Sequence, residues 1–288
     1  MRDLNRDLKL ICRRNRDGSY ATQADRERIL ALIANAVHAL GFTNLRATSL
    51  KPKHVERLVA AWKAARLSAG AIKNRMSALR WWAEKIGKPN IIARSNDAYG
   101  VERRVFVTNE SKARELVKED LEKIKDPFSR ASLRLQEAFG LRKAESIKFN
   151  PSWADRGDHI ILKASWCKGG KERTIPIRDL FQRQLLDEAK ALAGTGSLIP
   201  SDLTYIQQRR RFEHQCAKAG IDHVHGLRHR WAQRRYLELT GWECPARGGK
   251  SSKQLTKAEK KIDREARLTI SRELGHEREQ VTAIYLGR

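Results

Sequence analysis

Two short stretches in the second half of this sequence depart from its helical rhythm toward strand. His159-Ile160-Ile161-Leu162 and Thr174-Ile175-Pro176-Ile177 are short and rich in β-branched residues, and the turn signal Lys168-Gly169-Gly170-Lys171 lies between them. Elsewhere the apolar residues recur mainly at intervals of three and four. The combination predicts a mainly α chain with a small antiparallel β-sheet, formed by a hairpin with a basic tip. Its length, 288 residues, is natural for two domains.

The helical stripes can be placed. In Thr22–Leu40 the apolar positions are Ile29, Ile33, Ala36, Val37 and Leu40, and Gly41 stops the helix. Lys51–Arg66 carries Val55, Leu58, Val59 and Trp62. Ser68–Ile86 is the cleanest, with Ile72, Met76, Leu79, Ala83 and Ile86 on one side and Lys73, Asn74, Arg75, Ser77 and Arg80 on the other. A helix of this kind can pack on its own domain and face phosphates with the rest. Lys73, Asn74, Arg75 and Arg80 are therefore candidate phosphate contacts. Residues 88–110 lose the helical period and contain Pro89, Asn90 and Gly100, which reads as a linker. It would join a helical domain over 1–105 to a second domain over 111–288. In the second domain the pattern predicts helices over Leu116–Phe139 (with a break at Pro127), Asp179–Leu192, Asp202–Ala219, Leu227–Leu239, Lys257–Leu274 and Glu277–Leu286. That domain reads as mixed α+β.

Charge indicates the partner. The chain carries 59 Lys+Arg against 34 Asp+Glu, a formal net charge of +25. Residues 1–110 hold 22 against 10 and residues 111–288 hold 37 against 24, so the excess is no mere basic tail. Such a field suits a polyanion, foremost nucleic acid. The 40% of hydrophobic residues argues against a disordered chain. No apolar run approaches the roughly 18 residues of a membrane span, and the N-terminus does not read as a secretory signal. Cys12, Cys167, Cys216 and Cys244 are scattered without CxxC spacing, which suggests neither a disulfide scaffold nor a zinc module. A reducing cytoplasm is the simplest location.

Four clusters hold chemistry-bearing side chains. They are Gly140-Leu141-Arg142-Lys143-Ala144-Glu145, the turn Cys167-Lys168-Gly169-Gly170-Lys171-Glu172-Arg173, His225-Gly226-Leu227-Arg228-His229, and Leu274-Gly275-His276 followed nine residues later by Tyr285. Each alone is weak. Together, in this order, they resemble the tyrosine recombinase (phage integrase) family, whose patterns are G-L-R-x-x-E, a G-K-G-x-K-x-R hairpin, H-x-L-R-H, and L-G-H before a nucleophilic tyrosine. The motifs cover about residues 125–288. In the first domain the likeness is one of architecture, since the family places a helical core-binding domain there.

The resemblance implies a site-specific DNA recombinase or integrase of a mobile element, acting through a covalent 3′-phosphotyrosine and a Holliday junction. Tyr285 would be the nucleophile, splitting one hard step into two easier ones. Arg142 and Arg228 would clamp the non-bridging phosphate oxygens with their planar donor forks. Lys168 would be the general acid for the 5′-oxygen, His225 would assist proton transfer at the tyrosine, and His276 would donate a hydrogen bond to the phosphate. Glu145 would orient the arginines and histidines. His229 is a weaker candidate, and Lys171 and Arg173 join the candidate DNA contacts. No metal and no cofactor is implied. The partners would be double-stranded DNA with specific recombination sites and further copies of the chain, a homotetramer on DNA and a monomer when free, with no membrane. The two domains would grip opposite sides of a duplex in a nucleoid-associated protein.

Two features depart from the family's usual pattern. The interval from Arg228 to His276 is long, which points to an insertion in Gly241–Arg267 carrying Arg247, Lys250, Lys253, Lys257, Lys260 and Lys261. Only Leu286, Gly287 and Arg288 follow Tyr285, where many relatives continue into a helix that docks on a neighbour. Two other readings stay open: a catalytically inactive DNA-binding relative, and an enzyme resembling type IB topoisomerases. Should Tyr285 not be the nucleophile, Tyr236 and Tyr205 are next.

Overall fold

A computed structural model describes residues 3–276 and 278–288. The start of the helix expected from Glu277 therefore lies outside the described residues. The chain divides into two compact units, Met1–Val105 and Phe106–Arg288. It is mainly helical with a single two-stranded antiparallel sheet among the described residues.

The first unit holds α1 (Asp3–Arg14), α2 (Tyr20–Ala39), α3 (Pro52–Ala64) and α4 (Ala69–Lys85). The predicted stripes face one core: Ile29, Ile33 and Val37 from α2, Val55, Leu58 and Trp62 from α3, and Ile72, Met76, Leu79 and Ala83 from α4. Ser19 and Ser68 cap α2 and α4, their hydroxyls accepting from the Thr22 and Ala71 amides. Each such cap contributes about 1 kcal/mol. Helix α1 was not expected from the sequence, although Leu4 and Leu8, one turn apart, are both buried in this core. The segment read as a linker also differs. Ile92 and Val101 are buried in the same core, and Arg80 donates to the Ala93 carbonyl and the Asn96 side chain, so the chain stays packed to Val101.

The second unit opens with α5 (Lys118–Glu122) and α6 (Pro127–Phe139), separated at the expected Pro127 break, with Asp126 capping α6. Two short helices follow, α7 (Lys143–Lys148) and α8 (Pro151–Ala154). Strands β1 (His159–Leu162) and β2 (Arg173–Pro176) pair antiparallel, with Ile160 opposite Ile175 and Leu162 opposite Arg173. Their inner faces bury Ile160, Leu162, Arg173 and Ile175. The connection is longer than a tight hairpin turn. It first winds through a short 3-10 turn, Ala164–Trp166, that sets Trp166 edge-on to Phe149 and Trp153. Then come α9 (Leu180–Ala193), α10 (Tyr205–Lys218), α11 (His225–Thr240), α12 (Lys257–Glu273) and α13 (Glu279–Leu286). Helix α11 lies among α6, α12 and α13, which carries its polar motif into the interior.

The expected insertion is a built part of this unit. Cys244, Ala246 and Leu255 are buried, and a β-carbon on Gly249 would collide with the Glu243 carbonyl. Arg267 donates to Asp263 and to the Gly287 carbonyl, while Asp263 accepts from the Tyr236 hydroxyl. Lys253, Lys257, Lys260 and Lys261 are exposed, and Lys250 pairs with Glu259.

Candidate active site

Helix α6 ends at Gly140, whose φ of 62° is left-handed and whose missing β-carbon makes room for the Trp231 indole, 2.7 Å from where that carbon would stand. The chain then reverses into α7. At its start the Arg142 amide donates to Glu145 Oε2 at 2.7 Å and the Arg142 guanidinium to Oε1 at 2.7 Å. Glu145 is fully buried and also meets Arg173 in a two-pronged pair, Nη1 to Oε1 at 2.9 Å and Nη2 to Oε2 at 2.6 Å. Burial alone would raise its carboxyl; the hydrogen-bonded Arg173, with Arg228 and Arg142, brings it down to about 2.

Arg228 is 1% exposed. Its fork donates to the Gly140 and Leu274 carbonyls, tying the end of α6 to the end of α12. Its Nε faces the Tyr285 hydroxyl at 3.4 Å and its Nη2 faces His276 Nε2 at 3.3 Å. Burial, then the nearby Arg142, lowers the guanidinium to about 10, so it stays charged at neutral pH. The Tyr285 oxygen also lies 3.2 Å from His225 Nε2. Arginine can only donate, so the tyrosine oxygen accepts from Arg228 and its proton is free to point at His225. Burial, then Arg228 and Arg142, lowers the His225 pKa, keeping the ring neutral and able to take that proton.

The same logic fixes His276. Its Nε2 faces a guanidinium and must accept, so its proton sits on Nδ1, which faces Thr282 Oγ1 at 3.1 Å. Burial, then Arg228, Arg142 and Arg173, pushes this imidazole down to about 3. In this arrangement Nε2 cannot donate to a phosphate; that role requires the other tautomer, which the Thr282 hydroxyl can support by turning donor. His229 packs its ring 4.4 Å from the Tyr285 ring and is pushed down to about 4, by burial first and His225 next. Gln233 holds the Tyr285 carbonyl at 3.0 Å.

The fold thus brings Arg142, Glu145, His225, Arg228, His276 and Tyr285 together. Lys168 is not in that cluster. It stands exposed in the β1–β2 connection beside Gly169 and Gly170, in no hydrogen bond or ion pair with a described residue. Lys171 is exposed too. Among the candidate DNA contacts, Lys73 and Asn74 lie exposed on α4. Arg75 is half-buried with its guanidinium over the Trp62 ring, and the Arg80 guanidinium is tied to Ala93 and Asn96. Arg173 is corrected: it is 8% exposed and paired inside the unit, so it presents no surface to DNA. Its position two residues before Ile175 on the inner face of β2 was the signal for that. Thr282 and Gln233 were missed as well, being ordinary helical residues in the pattern. Tyr236 is fully buried against Asp263, with burial first and that carboxylate next raising its pKa, and Tyr205 lies under Lys148. Among the described residues no three His, Cys, Asp or Glu side chains converge as metal ligands, and no helix is long and apolar enough to cross a membrane.

Residues 1–92 match the family described as phage integrase, N-terminal, and residues 103–234 match the family described as integrase. The fold is similar to that of lambda integrase solved as a dimer bound to a COC′ core site, with a TM-score of 0.61, 16% identity, and coverage of 99% of this chain and 77% of that one. It is similar to XerH site-specific recombinase bound to palindromic difH substrate, at 0.60 and 16%, covering 99% and 81%. It is also similar to the Tn1549 transposon integrase in complex with transposon right end DNA, at 0.57 and 14%, covering 100% and 95%. At these identities the likeness is one of fold. No curated protein sequence matches the chain.

Proposed function

The chain belongs to the tyrosine recombinase (phage integrase) family, and from that membership we propose that it is a site-specific DNA recombinase whose nucleophile is Tyr285. The observation that carries this reading is the tyrosine oxygen held between His225 Nε2 at 3.2 Å and Arg228 Nε at 3.4 Å within one chain.

The phenol passes its proton to neutral His225 as its oxygen attacks the scissile phosphorus. The Tyr–P bond forms while the bond to the 5′-oxygen breaks, and Lys168 gives that oxygen its proton. Arg142, its side chain 22% exposed beside Glu145, takes one non-bridging oxygen. Arg228 supports the other as the tyrosine oxygen leaves its Nε. His276 joins by moving its proton to Nε2. The product is a 3′-phosphotyrosine and a free 5′-hydroxyl, and attack by a partner strand's 5′-hydroxyl reverses each transfer. Two sites held by four protomers would exchange one pair of strands at a time through a Holliday junction. The DNA-bound dimer of lambda integrase and its tetramer on a Holliday junction support that assembly. The exposed Lys73 and Asn74 would lie on the DNA backbone, and the protein would act on DNA in the cytoplasm, at the nucleoid.

A nicked suicide substrate built from the DNA flanking the gene tests the reading. The protein should form a DNA-linked band on a denaturing gel, and Tyr285→Phe should bind the same DNA and give no band. A full-strength adduct from Tyr285→Phe would place the nucleophile elsewhere.

A further inference from the structure

We propose that Arg173 is a positioning residue that occupies Glu145 so that the positive charge of Arg142 and Arg228 is left for the scissile phosphate; this rests on the recombinase reading. Three guanidinium groups share one buried carboxylate. Arg173 holds it in two parallel hydrogen bonds, Arg142 in one from its side chain, and Arg228 stands 3.9 Å away. Both Arg173 and Glu145 side chains are at least 95% buried, so their pairing is a strong one and sets the local charge. With Arg173 present, the cluster keeps two net positive charges beside Tyr285. Without it, Glu145 would draw on Arg142 and Arg228, leaving one.

The same guanidinium also touches the segments that lead to His276 and to Lys168. Nε donates to the Glu273 carbonyl at 3.0 Å, at the end of the helix that leads to His276. Nη1 lies 3.3 Å from Cys167 Sγ, next to Lys168. A β-carbon on Gly275 would stand 2.8 Å from Arg173 Cδ, so the turn before His276 is shaped around this side chain. The surrounding histidines, His225, His229 and His276, all have lowered pKa values and add no charge at neutral pH.

Orthovanadate, a phosphate mimic, probes the charge without a DNA site, read by its concentration-dependent stabilisation of the whole chain against heat. Wild type should bind it. Arg173→Gln should bind on the order of tenfold more weakly, the scale of losing one nearby charge. The double variant Arg173→Gln/Glu145→Gln should recover most of that loss, because removing the carboxylate frees Arg142 and Arg228 again. A merely structural arginine would not be rescued by a second cavity-side change. Arg173→Lys, which keeps the charge, should bind within a few fold of wild type and carries the test if Arg173→Gln gives no cooperative melt. No stabilisation of wild type, unimpaired binding by Arg173→Gln, a double variant as weak as the single, or Arg173→Lys binding as poorly as Arg173→Gln would each overturn the proposal. Failure of the recombinase reading looks different: vanadate binding with this pattern but no covalent adduct at Tyr285.

Discussion

The interior of residues 3–105 is apolar almost throughout. His54 is the one buried polar side chain among the described residues there, and its ring serves the start of α3 by accepting from the Lys51 amide. Residues 106–288 bury sixteen polar or charged side chains among those described, Glu145, Arg173, Arg228, Asp263, Arg267 and Glu273 among them. An apolar interior needs only volume and pattern, and it tolerates exchange of one hydrophobe for another of like size. A charged interior needs every partner, because breaking one buried pair strands the other group without water. The first unit keeps its charges outside, where they can meet a phosphate backbone. The second folds charges inward, where removal from water makes them strong enough for chemistry.

The largest effect that could break this contrast concerns a charge kept outside in the second unit. Lys168→Ala should slow strand cleavage by about 10²–10⁴-fold, the scale of losing a general acid. A substrate with a 5′-bridging phosphorothiolate should restore the rate, since sulfur leaves without a proton. It should not restore Arg142→Ala, whose defect is in charge stabilisation. Rescue of Lys171→Ala in place of Lys168→Ala would move the acid three residues along the turn.

In the first unit the largest effect should be on stability. Trp82 is fully buried and its indole N–H donates to the Ala47 carbonyl at 3.0 Å. Trp82→Ala should cost about 3–5 kcal/mol in urea unfolding. A smaller cost would mean that this core is looser than its burial implies.

Acid should separate the interiors more gently. His276 and His229 sit at about 3 and about 4 in the fold, burial being the first cause. Unfolded, a histidine titrates near about 6.5. Below that pH the unfolded chain takes up protons that the folded site refuses. Stability is therefore full above about pH 6.5 and falls as the pH drops toward 4. The Glu145 carboxyl, at about 2, contributes fully above its unfolded value of about 4.3 and loses that contribution as the pH falls from there toward 2. Urea midpoints at pH 7.5 and 5 should differ less in His229→Gln/His276→Gln than in wild type. An equal difference would assign the acid sensitivity elsewhere.

The smallest effect belongs to the exposed face of α4. Lys73→Ala should weaken DNA binding at all sequences and reduce the slope of log affinity against log salt by about one. An unchanged slope would take α4 off the DNA.

The contrast also explains what could be read from the residues alone. Helices α2, α3 and α4 were legible because their only instruction is a stripe, and Ile72, Met76 and Leu79 carry it plainly. In the second unit the motifs exposed Arg142, His225, Arg228, His276 and Tyr285, which polar burial then draws together. Arg173 was misread because a basic residue beside a Gly-Gly turn looks like surface; its strand alternation with Ile175 carried the opposite message. The tautomer of His276 depends on Thr282 and Arg228, neighbours no local pattern names.

The last residues are held by one of the first of their unit. Asn109 gives its side-chain amide to the Arg288 carbonyl and takes the Arg288 amide in return, across 179 positions of sequence. Tyr285 meets Arg228 and His225 across 57 and 60. Contacts so far apart can close only after the intervening chain exists, whereas the stripes of α1 to α4 can collapse as soon as the first hundred residues leave the ribosome. The first unit can therefore be folded before the tyrosine pocket exists. The tyrosine pocket can close only once α13 has been made, when its other side chains, from Arg142 to His276, are already in the chain.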